Sequence, residues 1–344
     1  MSAQLLDDKT SLHTGYRWFA NATKYLKSRH HLKLVAAFAA VYVIWGSTFL
    51  AIRFAVESMP PFWMAGTRFV IAGLVVYIWA RRQGALVPTT VHWRTAFIVG
   101  GLMLAGGNGL VSWSGQFVAS GLIGLLSAAI PMWVVIITSL ATRQRPTRSV
   151  TLGILLGLAG IIFLIGPENV TSVEGSLLAI LIVLLGCISW AVGTYYSRQA
   201  VQHPSLFMAT GLNMLAGGLL LLLGSAVSGE LAQFDPVTIS LKSWLALGYL
   251  IVFGSLVGFS AYMWLVKVTT PTMASSNFYV NPVVAVILGW ALAGEPLTAG
   301  IILPAAAIIA AVVLIVSRPA QLKAETADPD QPATPALKTA DANC

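Results

Sequence analysis

The sequence predicts an all-α integral membrane protein in which ten transmembrane helices form two inverted five-helix repeats around a central cavity. Its 344 residues are 57% hydrophobic and only 9% charged, whereas a soluble domain carries about 25% charged residues. Apolar runs of about 20 residues, the length that a helix needs to cross a bilayer, recur ten times, and motifs of the first five return in the last five. The bilayer is the predicted solvent, because no water-soluble core could bury this much apolar sequence.

Ten segments have the length and composition of a membrane helix, which satisfies every backbone polar group internally. They are 34–54, 62–80, 95–117, 120–141, 149–166, 175–197, 206–228, 243–265, 271–292 and 298–317. The third and fourth segments nearly touch, which predicts a tight helical hairpin. The polar stretch 1–33 is predicted to be a cytoplasmic N-terminal tail. The stretch 318–344, rich in Ala, Pro, Asp and Thr, is predicted to be a disordered cytoplasmic tail.

The basic residues predict the orientation of these segments. If the N-terminus is cytoplasmic, every Lys and Arg lies in a cytoplasmic loop or tail except Arg53, Arg68 and Lys242. This is the positive-inside pattern of multi-pass membrane proteins, so both termini are predicted to be cytoplasmic. The net charge of +8 does not predict nucleic-acid binding, because the basic residues lie in short clusters between apolar runs.

An internal repeat relates the two halves of the chain, 34–166 and 175–317. Because each half contains an odd number of predicted helices, the second half must enter the membrane from the opposite face. Inverted repeats are common in secondary transporters, whose solute site lies near the midplane between the halves. An offset of 145 residues pairs Trp45 with Trp190, Arg53 with Arg198, Gly66 with Gly211 and Gly73 with Gly218, and an offset of 151 pairs Pro131 with Pro282.

Groups for catalysis are missing from the middle of the predicted spans. No Asp, Glu or His lies there, so we expect neither a proton relay nor the activated nucleophile of a membrane protease. Cys187 and Cys344 have no metal-binding or disulfide spacing, and no phosphate-binding loop motif occurs. The sequence therefore predicts that the protein is not an enzyme and that it has no catalytic residue, metal or cofactor.

One charge, Arg68, lies well inside a predicted span, and two interpretations are open. In the first, the residue is structural, and it reaches outward to pair with Glu57 or to cap backbone carbonyls. In the second, it is the cation that receives a substrate carboxylate, since intramembrane charges mark functional sites. Its counterpart in the second half is Asn213, so the repeat itself does not require the charge.

Polar side chains recur four residues apart within the third and ninth spans. They are Asn108, Ser112 and Gln116 in the third span, and Asn277 and Asn281, with Tyr279 between them, in the ninth. Such a stripe either holds helices together or lines a watery cavity, and both interpretations stay open.

Prolines mark matching points in the fourth and ninth spans. Pro131 leaves the carbonyl of Ser127 without its helical donor, and Pro282 does the same to the carbonyl of Phe278. Non-helical backbone at membrane depth persists only where it is buried in protein or faces a cavity. The two prolines therefore predict hinge or substrate-site positions, with simple packing kinks as the alternative.

Tryptophans lie near the middle of four spans, at positions 45, 113, 133 and 190. They are either packing residues or contacts in an aromatic-walled cavity for an amphipathic solute. A buried indole N–H usually has a hydrogen-bond partner, which a solute in such a cavity could supply. Ser47 and Thr48 place hydroxyl groups within one turn of Trp45.

Three short motifs follow one another along the chain. W-G-S-T-F occupies 45–49, R-F-x-x-A-G occupies 68–73, and N-P at 281–282 is followed by G-E at 294–295. Together they resemble the EamA family of the drug/metabolite transporter superfamily, and the resemblance extends over about residues 34–317. It is closest to bacterial inner-membrane exporters of amino acids and metabolites. It implies a basket of ten helices, a central cavity walled mainly by spans 1, 3, 4, 6, 8 and 9, and export by alternating access.

The resemblance also implies a set of cavity residues with aromatic, hydroxyl or amide side chains. They are Trp45, Ser47, Thr48, Asn108, Ser112, Trp113, Gln116, Trp190, Tyr195, Asn277, Tyr279 and Asn281. The first span lacks the carboxylate that small multidrug exporters of the superfamily use, so exchange of protons for cationic drugs is not expected.

These observations predict a secondary transporter of the bacterial inner membrane that exports neutral or aromatic amino acids, or related small metabolites, by alternating access. The alternative is a multidrug or other metabolite exporter of the same superfamily. A membrane-embedded enzyme or receptor fits the sequence least. The expected partners are a small-molecule substrate and the lipid bilayer, with no nucleic acid, and the expected oligomeric state is a monomer.

Overall fold

The computed structural model describes residues 7–164, 176–232, 234–269 and 277–316, and within these ranges the regular secondary structure is helical, with no strand. A single turn of 3-10 helix, Glu230–Ala232, follows the seventh helix. We number the helices α1 (Asp7–Val56), α2 (Pro61–Arg82), α3 (Thr90–Ser114), α4 (Ser120–Thr142), α5 (Arg148–Leu164), α6 (Ser176–Ser197), α7 (Leu206–Val227), α8 (241–268), α9 (Asn277–Ala293) and α10 (Ala299–Val316).

Seven of the described helices, α1–α4 and α6–α8, are long and apolar enough to cross a membrane, whereas α5, α9 and α10 are apolar but shorter. The all-helical membrane fold is thereby confirmed, while the count of ten spans and the inverted relation of the halves stay predictions. α1 includes residues 7–33, so this part of the predicted N-terminal tail is helical and continuous with the first span. The predicted tail 318–344 lies outside the described residues.

Polar side chains mark the starts of several helices. Ser205 and Ser240 cap α7 and α8, and each hydroxyl accepts a hydrogen bond from the backbone N–H three residues later. α2 begins with Pro61 at its first position, where a proline loses no helical hydrogen bond. Glu230 accepts hydrogen bonds from the backbone N–H groups of Phe62 and Trp63, so its carboxylate meets the positive end of the α2 dipole.

The helices pack in a pattern that relates the two halves. α2 lies along α7, and α5 lies along α10. α1 contacts α8 and α9, and α6, which has the same place in the second half, contacts α3 and α4. These contacts therefore correspond in the two halves when α1 is exchanged with α6, α2 with α7, and so on to α5 with α10. The largest buried apolar cluster includes residues of α1, α4, α5, α6, α8 and α10.

Three helices depart from regular α geometry. α3 has a π-helical segment at Gly101–Gly109, and α8 has one at Leu250–Val257. α4 is interrupted by a two-residue turn at 128–129, and Pro131 is the second residue of the helix that resumes at Ile130. Pro282 instead lies inside α9, with helical residues on both sides. A break therefore accompanies the first proline and is absent at the second within the described part of α9.

Candidate functional site

Trp45 attaches α1 to the wide turns of α8. Its indole Nε1 donates a hydrogen bond to the carbonyl oxygen of Gly254 over 3.1 Å. The rings of Phe259 and Tyr262 lie 5.3 and 5.0 Å from the indole, measured between centroids. A Cβ at Gly258 would lie only 2.5 Å from Nε1, so glycine is needed for this close approach. The acceptor of the Trp45 hydrogen bond, the carbonyl oxygen of Gly254, belongs to a π-helical segment of α8, where the backbone hydrogen bonds differ from those of an α-helix.

Two hydroxyl side chains follow Trp45 on α1. The Ser47 hydroxyl lies 2.6 Å from the Tyr249 hydroxyl and donates to the carbonyl oxygen of Ile44. The Thr48 hydroxyl donates to the carbonyl oxygen of Trp45 over 2.6 Å. Since Ser47 uses its proton on the backbone, Tyr249 donates to Ser47. Trp45, Ser47 and Thr48 thus form one group with the aromatic residues of α8, among which the sequence did not indicate Tyr249.

Trp190 has the equivalent place on α6, where it packs on the π segment of α3. A Cβ at Gly107 would lie 2.9 Å from indole atom Cε3. The neighbouring Ser189 donates to the carbonyl oxygen of Leu102 over 2.7 Å. In both halves, therefore, an indole lies against a glycine that is in a stretch of π helix (Gly107) or directly after one (Gly258). Trp190 also packs against a buried cluster that includes Phe69, as expected for a packing role.

Arg68 of α2 is 5% exposed, and its guanidinium contacts α3. Nη2 donates to Oδ1 of Asn108 over 3.1 Å, while Nε and Nη1 have no hydrogen-bond partner. The predicted pairing with Glu57 is wrong, because Glu57 binds Lys242 at 2.7 and 2.8 Å instead. Arg68 does not cap backbone carbonyls either, because neither Nε nor Nη1 donates a hydrogen bond to a carbonyl oxygen. The buried cation therefore retains unused hydrogen-bonding capacity.

The three residues of the predicted polar stripe of α3 lie in different surroundings. Asn108 meets Arg68, and Ser112 is fully buried with an unpartnered hydroxyl. Gln116 is exposed beyond the end of the helix, and its amide donates to the carbonyl oxygen of Trp113. The π segment and the helix end at Ser114 account for this divergence, because the four-residue spacing assumes a continuous α-helix.

Glu295, in the loop after α9, joins three elements at one end of the helix bundle. Its carboxylate accepts from Arg53 Nη1 at 2.5 Å, from both the backbone N–H and the hydroxyl of Ser120 at 2.7 Å, and from the N–H of Gly121 at 2.9 Å. Arg53 is one of the three basic residues that do not follow the positive-inside pattern. Its role is to pair with this carboxylate at the N-terminus of α4.

The family description EamA-like transporter family matches residues 32–166 and again residues 177–317. The chain belongs to this family. It is 39% identical to the Escherichia coli (strain K12) protein named uncharacterized inner membrane transporter YedA, over 84% of this chain and 92% of that protein. It is 25% identical to the uncharacterized transporter YoaV of Bacillus subtilis (strain 168), over 80% of this chain and 93% of that protein.

A solved structure, described only as the crystal structure of a protein, matches with a TM-score of 0.58 and 19% identity, covering 82% of this chain and 96% of that chain. It supports the fold alone. The names of the relatives support a membrane transporter, and the Escherichia coli relative is named for the inner membrane. The resemblance to the EamA family that the motifs predict is confirmed.

In this EamA-like transporter the remaining predicted site residues lie on α9, α6 and α3, and a Cβ at Gly46 of α1 would lie 3.1 Å from the carbonyl oxygen of Asn281. Asn277 and Asn281 of α9 are buried, and their side-chain oxygens have no partner. Tyr279 on α9 and Tyr195 on α6 are half-buried, and the Trp113 ring lies 4.9 Å from that of Phe117. Among the described residues no group of three or more His, Cys, Asp or Glu side chains could hold a metal. The role of each residue in a cavity stays a prediction.

Proposed function

We propose that this membrane transporter exports neutral or aromatic amino acids, or related small metabolites, across the inner membrane by alternating access. In this proposal the two halves are inverted repeats that rock about a shared site near the midplane. Two observations support the inverted relation. The family matches the chain in two consecutive blocks, and the contacts of α1 with α8 and α9 have counterparts in the contacts of α6 with α3 and α4.

The observation that carries the choice of substrate is the unused part of the Arg68 guanidinium. A buried charge is costly unless it is paired and hydrogen-bonded, and neither ion pair of the described residues includes Arg68. An arginine presents several N–H donors in a fixed planar arrangement that suits a carboxylate. The carboxylate of an amino acid would supply both the missing charge and the missing acceptors.

The aromatic group on α1 and α8 supports an amphipathic solute. Trp45, Phe259 and Tyr262 supply ring surface, and the Ser47 and Tyr249 hydroxyls lie at one side of it. Small-molecule sites commonly combine such apolar walls with a few polar groups. We propose that the side chain of an aromatic or neutral amino acid contacts this surface.

The alternative, a multidrug or other metabolite exporter, is less well supported for cationic drugs. A cation requires an acidic partner, and no Asp or Glu lies in the middle of a predicted span. Glu295, the one acidic residue that is buried among the described residues, already accepts hydrogen bonds from four donors.

Flux in proteoliposomes tests the proposal. We expect the purified protein to move labelled neutral and aromatic amino acids, and to discriminate against their amides, which lack the carboxylate. Arg68→Gln should raise KM for the acids about ten- to hundredfold, because a hydrogen bond to a charged group contributes about 1.5–3 kcal/mol, and should leave the amides unaffected. Lys242→Gln, which removes an exposed cation, is the matched control. Flux of cationic dyes without any flux of amino acids would refute the proposal.

A further inference from the structure

The carboxylate of Glu295 connects parts of the chain that belong to different halves. Arg53 and Ser120 lie in the first half, at the end of α1 and the start of α4, whereas Glu295 lies in the second. Glu295 is 7% exposed and Arg53 is 35% exposed. The carboxylate is also at the N-terminus of α4, where free N–H groups and the helix dipole favour an anion. Any motion that separates the halves at this end must break these bonds.

The local sequence is built to hold the carboxylate there. Gly294 adopts a positive φ of 63°, a conformation that costs glycine little, and it turns the chain back toward α9. The side chain of Glu295 then lies over Gly289, where an added Cβ would be 2.2 Å from the carboxylate oxygen Oε2. Gly289 therefore leaves the space that the carboxylate occupies.

Among the residues that the structure describes, the opposite end of the bundle has no equivalent set of charges. The counterpart of Arg53 is Arg198, and the counterpart of Glu295 is Gln144; both are exposed. An amide carries no charge, so Gln144 cannot form the charge-assisted bonds that a carboxylate forms with arginine and a helix N-terminus. An arginine is therefore present at both ends of the bundle, whereas the acidic residue is present only at the end where Glu295 lies.

We propose that Arg53, Ser120 and Glu295 form a latch that holds the transporter closed at their end of the bundle. Because the other end lacks this latch, the resting state opens where Arg198 and Gln144 lie. The distribution of basic residues predicts that the latched end faces outward, so the resting transporter receives solute from the cytoplasm. This proposal rests on the proposed alternating access, but it does not depend on which substrate is transported. It can therefore be tested without a substrate.

Cysteine accessibility tests the latch in intact cells. The chain has two cysteines, and Cys187→Ala with Cys344→Ser provides a cysteine-free background. The reporter is Val118→Cys, because Val118 is 4% exposed and lies two residues before Ser120. The control reporter is Val237→Cys, whose residue is 91% exposed at the same end, in the loop before α8. A membrane-impermeant maleimide is added from outside, and labelling rates are compared.

We expect the Val237→Cys reporter to label rapidly in every background and the Val118→Cys reporter to label slowly while the latch is intact. Glu295→Gln, Arg53→Gln and Gly289→Ala should each accelerate labelling of the Val118→Cys reporter by roughly tenfold, a common size for coupled conformational equilibria. Gly289→Ala is decisive, because it displaces the carboxylate without removing a charge and would otherwise favour the helix. Lys242→Gln, which breaks the exposed pair at the same end, should have no effect.

Two results would overturn the proposal. The first is an unchanged labelling rate of the Val118→Cys reporter in all three latch variants, when they elute from size exclusion as the parent does. The second is labelling of the Val237→Cys reporter only in inside-out vesicles, which would place the latch at the cytoplasmic end. Loss of amino-acid flux has no bearing on either outcome, so failure of the latch and failure of the proposed substrate are distinguishable.

Discussion

Gly66 and Gly218 face each other across the interface of α2 and α7, and their contact is reciprocal. A Cβ at either glycine would lie 3.0 Å from the carbonyl oxygen of the other. Exchange of the two halves turns this pair into Gly211 and Gly73, which also meet, since a Cβ at Gly211 would lie 3.3 Å from the Gly73 carbonyl oxygen. Small residues allow membrane helices to approach this closely, and the reciprocity is what a local two-fold axis between α2 and α7 produces.

The first prediction concerns this interface. Gly218→Ala should destabilise the protein by about 1–3 kcal/mol, the typical cost of overpacking, because the new methyl group meets Val70 and the Gly66 carbonyl. Gly224→Ala, in the same helix, is the matched control, since nothing lies within 4 Å of a Cβ there. Thermal unfolding in detergent measures both. Equal midpoints for the two variants would contradict the packing described.

The second prediction concerns the indole of Trp45. Gly258→Ala should lower the unfolding midpoint, because its Cβ would overlap the indole nitrogen. Trp45→Phe removes that nitrogen and its bond to Gly254, at a net cost of about 1 kcal/mol. The double variant should therefore lose less free energy of unfolding than the two single variants lose together. A double-mutant cycle measures this difference. Additive effects would show that the two residues do not meet.

The third prediction separates stability from transport at Arg68. Asn108→Asp places a carboxylate where Asn108 Oδ1 lies 3.1 Å from the guanidinium. The buried cation is then neutralised, so the unfolding midpoint should rise by a few degrees, as about 1 kcal/mol would produce. Transport should fall at least about tenfold, because the new carboxylate already supplies the negative charge that the substrate carboxylate would bring to Arg68. Asn108→Leu, which removes the amide without adding charge, should lower both quantities.

A rise in both stability and amino-acid flux for Asn108→Asp would show that Arg68 is a structural residue. The thermal measurement does not depend on flux, so the contact between Arg68 and Asn108 is tested even if another solute is transported.

The fourth prediction compares the two ion pairs of the described residues. Glu57 and Lys242 are 44% and 49% exposed, so Glu57→Gln should cost less than about 1 kcal/mol. Glu295→Gln should cost more, about 1.5–3 kcal/mol, because a buried carboxylate loses its charge-assisted hydrogen bonds to the half-exposed Arg53 and to the N-terminus of α4. The charge swap Arg53→Glu with Glu295→Arg should not restore stability, since Ser120 and Gly121 require an acceptor. Recovery by the swap would contradict the role of the α4 N-terminus.

The helices could be predicted from sequence because membrane spans depend on length and apolar composition. Predicted span 62–80 corresponds to α2 at Pro61–Arg82, and predicted span 206–228 corresponds to α7 at Leu206–Val227. The π segments could not be predicted, because composition does not report how many residues complete a turn. Gln116, the last residue of the predicted polar stripe, lies beyond the end of α3 at Ser114, and the spacing of polar residues did not indicate this end.

The contacts of the candidate site were harder to predict than its residues. Arg68 and Trp45 stand out in the sequence, but their partners follow from tertiary packing. Glu295 binds residues 175 and 242 positions earlier in the chain, and no spacing rule connects them. The possible pairing of Arg68 with Glu57 is not formed, because Glu57 binds Lys242, 185 positions later in the chain.

The burial of Arg68 also constrains how the protein is made. α2 is synthesised before α3, and the partner Asn108 follows Arg68 by 40 residues. An arginine at the centre of an inserting helix costs about 2.5–3.5 kcal/mol, which cancels the gain from several Leu, Ile, Phe or Val residues at about 0.3–0.6 kcal/mol each. α2 therefore enters the bilayer most favourably together with α3, as a hairpin in which the amide already shields the cation. Arg68, which we propose binds the substrate, is thus also the residue of α2 that most opposes insertion of this helix into the bilayer.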